Sequence, residues 1–85
     1  MYIVKRYSAS GLYSGEPVES FEELSEAIEY LEKKAKRFNS KTNAKYYQVS
    51  LSDDRMHLEV YSDYGSLIQT QTLRNYNYEV HFKYY

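Results

Sequence analysis

Two short patterns in this sequence could do chemistry. His57 and Glu59 stand two residues apart, and so do Glu79 and His81. In a β-strand, residues i and i+2 share a face, so each pair would point one way. Two imidazoles and two carboxylates are the groups that hold a transition metal or move protons. A small metal-dependent or acid/base enzyme using His57 and His81 is therefore one reading. The strand order derived below argues against it. A strand over 66–73 would lie between the pairs and hold them roughly 9–10 Å apart, two strand spacings. That is too wide for shared coordination, so the four residues read as a solvated sheet face.

Other catalytic signatures are missing. His57-Leu58-Glu59 matches the start of the zinc-deaminase signature, but the chain has no Cys to complete it. There is no Gly-x-Ser-x-Gly elbow, no His-Glu-x-x-His and no Gly-rich phosphate loop. No catalytic residue, metal ligand or cofactor is assigned, and the expected class is a non-enzyme.

The stronger signal is aromatic. Twelve of the 85 residues are Tyr, against three Phe and no Trp. Tyr offers a large contact area at low rotamer cost and keeps a polar tip, so it suits binding surfaces. Strand parity sends Tyr47, Tyr76, Tyr78 and Tyr84 to the core. Tyr46, Tyr61, Tyr64 and Tyr85 are left as candidate binding residues. Lys33, Lys36 and Arg37 are candidates for charge steering towards an acidic partner. The basic segment 33–45 with exposed Tyr46, Tyr61 and Tyr85 gives a competing reading, a single-stranded nucleic-acid module.

The elements that must position these residues follow from periodicity. Residues 2–8 read as a strand and 9–19 as a turn-rich loop. Ser20 with Glu23 forms a capping-box pattern. Phe21, Leu24, Ile28, Leu31, Ala35 and Phe38 then recur at helical spacing, predicting a helix over 21–38. Residues 39–45 read as a basic loop. Tyr47, Val49 and Leu51 alternate with polar residues, as do Met56, Leu58 and Val60, predicting a hairpin about a turn at 52–55. A turn at 62–65, a polar strand over 66–73, a turn at Arg74-Asn75 and a strand from Tyr76 complete the chain. The expected fold is a single α+β domain over 1–85, ordered β-α-β-β-β-β. One helix packs on one face of a mostly antiparallel meander sheet.

Composition sets the outer bounds. The formal net charge is −1, which disfavours strong general affinity for nucleic acid. The opening Met1-Tyr2-Ile3-Val4-Lys5-Arg6 meets charge too early for a secretory leader, and no run approaches a membrane span. A cytoplasmic location without membrane association is expected. In size, composition and lack of catalytic motifs, the chain resembles small phage and mobile-element proteins such as anti-CRISPR proteins. That general likeness implies an inhibitor that occupies the surface of a host protein or nucleoprotein complex. Uncovered strand edges also allow a homodimer.

Overall fold

The computed structural model describes residues 1–41, 47–63 and 72–82. Its elements are β1 (Tyr2–Ser8), β2 (Ser14–Phe21), α1 (Leu24–Phe38), β3 (Tyr47–Leu51), β4 (His57–Asp63) and β5 (Thr72–Phe82). One helix packs against one five-stranded sheet whose order is β2-β1-β5-β4-β3. Every neighbouring pair is antiparallel. The α+β class, the single helix and the antiparallel sheet are as the sequence predicts.

The order of elements differs in two places. The segment expected as a loop over 9–19 contains a strand, β2, which pairs with β1 at the sheet edge. Two register shifts let it do so. One leaves Val18 as an extra residue between Val4↔Glu19 and Lys5↔Pro17. The other leaves Gly15 between Arg6↔Glu16 and Tyr7↔Ser14, with φ +73°. A bulge that needs a positive φ is a natural place for Gly. Ser20 is paired with Ile3 in this strand, so it cannot cap the helix. The N-cap is Glu23 in extended backbone, without a side-chain capping bond.

The expected turn at Arg74-Asn75 is also absent. Both residues lie within β5, where the partners step from Val60↔Tyr76 to Tyr61↔Arg74. Asn75 is the extra residue of a bulge rather than the corner of a turn. Thr72 and Leu73, expected in a separate strand, begin β5. The remainder of 66–73 lies outside the described residues. So does most of the expected loop over 39–45.

The core lies between the helix and the three central strands. Val4, Leu58, Val60, Tyr78 and Val80 from the sheet meet Ala27, Leu31 and Ala35 from α1. Val4, Leu31, Leu58 and Val60 are fully enclosed. The buried helix positions are 27, 31 and 35, so Ala27 takes the inner place that periodicity assigned to Ile28. Two small residues on that stripe let the helix approach the sheet closely. Aromatic pairs close the margins. Phe21 packs on Tyr30 at 5.5 Å and Phe38 meets Tyr47 edge-on at 5.2 Å, centroid to centroid.

Candidate functional site

Because α1 covers one face of the sheet, the other face carries the residues that alternate with the core. Among these are Ile3, Lys5 and Tyr7 on β1, His57, Glu59 and Tyr61 on β4, and Asn77, Glu79 and His81 on β5. The segment of β5 that holds Glu79 and His81 pairs directly with β4. His57 and Glu79 are opposite one another across that pair. The separation of roughly 9–10 Å expected from an intervening strand is therefore wrong. The N–H of Val80 donates to the Met56 carbonyl at 2.9 Å. Bonded and non-bonded pairs alternate, so His57 and Glu79 form a non-hydrogen-bonded pair, the kind whose side chains stand closest.

A chain of polar contacts results. His57 Nδ1 is 3.5 Å from Glu79 Oε1, and His81 Nε2 is 3.0 Å from Glu79 Oε2. One carboxylate thus serves two imidazoles. Tyr7 Oη lies 3.4 Å from His81 Nε2, extending the chain to β1. Asn77 Nδ2 donates to Glu79 Oε1 at 3.1 Å. On the other side, His57 Nε2 is 3.4 Å from Glu59 Oε1, and the Tyr61 hydroxyl donates to Glu59 Oε2. This donation is the first cause holding the Tyr61 hydroxyl above its ordinary ionisation range, with desolvation second.

Local structure sets the ends of this chain. His57 begins β4 after a turn that is tied by its own side chains. Ser52 Oγ accepts from the His57 N–H at 3.1 Å, and the Asp54 carboxylate accepts from the Met56 N–H at 3.0 Å. The Ser52 hydroxyl also donates to Asp54, and this is the leading reason that carboxyl sits below its usual range. Arg55 takes φ 62° in the turn and ties it to the helix through Glu32 at 2.7 Å. At the far end, the Tyr7 ring lies over Gly15, where an added Cβ would stand 3.1 Å from it.

What this face can do follows from its geometry. The donors line up along the chain instead of converging. Among the described residues, no group of three or more His, Cys, Asp or Glu could hold a metal ion. Both nitrogens of His57 face carboxylates, and its Nε2 is shielded from solvent without a well-formed hydrogen bond. An imidazole so placed has no nitrogen aimed at a substrate. The face does present a fixed pattern of aromatic and charged groups. Tyr61 stands where it meets a concave end of the sheet lined by Ser8, Leu12, Tyr13, Arg74 and Tyr76. Leu12 there is 80% exposed. Arg6 stacks on Tyr13 at 3.8 Å and pairs with Glu16 at 3.1 Å.

Of the candidate binding residues, Tyr46, Tyr64 and Tyr85 lie outside the described residues. Tyr61 is on the helix-free face. Lys33, Lys36 and Arg37 are exposed on α1, which covers the opposite face. Lys33 pairs with Glu29 at 3.3 Å. Tyr61 and the three basic residues therefore do not form one surface. The tyrosines assigned to the core divide similarly. Tyr78 is buried, Tyr47 and Tyr76 pack at the core margin, and Tyr84 lies outside the described residues. Sequence reasoning passed over Leu12 as an anchor because it left that residue inside a loop over 9–19, with no strand beside β1. Among the described residues, no helix is long and apolar enough to cross a membrane.

Compared with protein-family models, with curated proteins and with solved structures, the chain matches none.

Proposed function

We propose that this chain is a non-enzymatic binding module that acts by covering a surface of a partner protein with its helix-free sheet face. One observation carries the reading. The side chains from Tyr7 through His81, Glu79, His57 and Glu59 to Tyr61 hold one another in place on that face. Side chains already fixed lose less rotamer freedom when a partner arrives, which favours binding. Tyrosines at both ends supply the amphipathic contact area that dominates many interfaces. An inhibitor of a host defence or regulatory complex, of the anti-CRISPR kind, is the finer form of this proposal.

The test is capture from a lysate of the native host, with and without nuclease. Wild-type protein is compared with a Tyr61→Ala/Glu79→Ala variant. A partner protein retained by wild type after nuclease, and lost by a variant that melts normally, supports the reading. Retention by the variant would falsify the assignment of this face. Capture that depends on nucleic acid, with steep salt dependence, points to the single-strand module instead. Turnover abolished by His57→Ala/His81→Ala would point to an acid/base enzyme.

A further inference from the structure

The two edges of the sheet are built differently. The β2 edge is protected in three ways that discourage further pairing. It has Pro17, which lacks an N–H, it carries Glu16 and Glu19, and it is broken by two register shifts. The β3 edge has none of these. Its sequence is Tyr47-Gln48-Val49-Ser50-Leu51, without charge or Pro, and it pairs with β4 in unbroken register. Among the described residues, no strand lies on its outer side.

The hydrogen-bond phase of β3 can be worked out. The Ser52 N–H donates to the His57 carbonyl at 2.9 Å, so Ser52 faces β4. By alternation Ser50 and Gln48 also turn their backbone groups to β4. The N–H and C=O groups of Tyr47, Val49 and Leu51 therefore point outward. The same three residues share the helix-covered face, yet each is only partly buried, because the apolar layer runs out at this edge.

We infer that β3 is the seam of a symmetric homodimer, in which two copies pair antiparallel about Val49. This register sets Val49 against Val49 of the second copy, and Tyr47 against Leu51. Every outward-facing residue then meets another outward-facing residue, which gives about six N–H···O bonds across the seam, two for each bonded pair. A one-residue slip would set outward residues against residues already bonded to β4. The side chains agree with the backbone. Tyr47, Val49 and Leu51 of both copies join into one apolar row beneath the helices. Gln48 stands opposite Ser50 on the helix-free face. The second copy fits because this short strand is its own complement in bonding phase, apolar pattern and charge. The inference is independent of what the helix-free face binds.

Gln48 and Ser50 are exposed, so charges can be placed at the seam without entering the core. Sedimentation equilibrium of wild type across a wide concentration range should show a dimer. Gln48→Lys/Ser50→Lys sets like charges opposite each other and should give a monomer with an unchanged circular-dichroism spectrum. Gln48→Lys/Ser50→Glu sets opposite charges across the same seam and should restore the dimer, more firmly at low salt. A wild type that stays monomeric up to millimolar concentration overturns the proposal. So does a double-lysine variant that stays dimeric, or a lysine–glutamate variant that does not dimerise.

Discussion

His57 and Glu79 face each other across the β4–β5 pair, and the Glu79 carboxylate reaches 3.0 Å from His81 as well. Two imidazoles that are 24 positions apart in sequence are thereby joined through one side chain. Glu79→Ala should remove that link at small cost to the fold. Its side chain is 27% exposed, and ion pairs in such settings contribute about 0–1 kcal/mol. The expected result is a melting temperature within a few degrees of wild type, together with changed NMR signals from both imidazoles. A change confined to one imidazole would mean that the link is not made in solution.

The core gives a contrasting prediction. Leu31 is fully enclosed between helix and sheet, whereas Leu12 is 80% exposed. Leu31→Ala should cost about 2–5 kcal/mol, from lost transfer energy and the cavity left behind. Leu12→Ala should stay within about 0.5 kcal/mol. Urea denaturation of both variants checks the pair. For a domain this small, the first loss is a large part of total stability.

Glycine substitutions should separate backbone cost from crowding. Gly11 and Gly15 both have positive φ, +80° and +73°. Replacing either by Ala should cost about 1–2 kcal/mol from that conformation alone. Only at Gly15 would the new Cβ press on the Tyr7 ring, at 3.1 Å. Gly15→Ala should therefore be the more destabilising, measured by thermal melting. It should also shift the NMR signals of His81, the neighbour of Tyr7. Equal losses at the two sites would show that the Tyr7 ring yields freely.

The alkaline limb of stability should report on two tyrosines. Burial holds the Tyr78 hydroxyl above its ordinary range, against the opposing pull of Arg6, and the bond to Glu59 does the same for Tyr61. A group whose folded pKa is raised contributes stability that is intact below its unfolded pKa, about 10 for Tyr. That contribution is lost as pH rises through the folded value. Stability should therefore fall above about pH 10. Tyr78→Phe should flatten this fall, most of all in combination with Tyr61→Phe. Parallel alkaline limbs for wild type and the double variant would contradict it.

How much of this was legible in the sequence depended on which force set each element. The helix and the strands β3 and β4 follow apolar periodicity, because burial against the core decides them. β2 does not. Its residues are mostly exposed, it holds Gly15 and Pro17, and it joins the sheet through backbone pairing that leaves no alternating pattern. Ser20 and Glu23 carry a genuine capping pattern, but pairing of Ser20 with Ile3 claimed that residue first. The Arg74-Asn75 dipeptide has turn chemistry, and the fold used it for a bulge. The site was missed for a related reason. His57 and Glu79 were visible as chemistry, but their distance depended on which strands are neighbours, and local sequence does not encode that.

The place of β5 has a consequence for how the chain folds. β1–β2 and β3–β4 are local hairpins, yet in the sheet they touch only through β5, which lies between them. Its partner β1 is at the opposite end of the chain, with Tyr2 set against Phe82. Such distant pairing is slow to form. Until β5 arrives, the inner edges of both hairpins, β1 and β4, are open to other strands. During synthesis β5 emerges after the other four strands of this sheet. The nascent chain therefore carries two unfinished half-sheets, and the sheet is most exposed to mispairing just before β5 closes the gap.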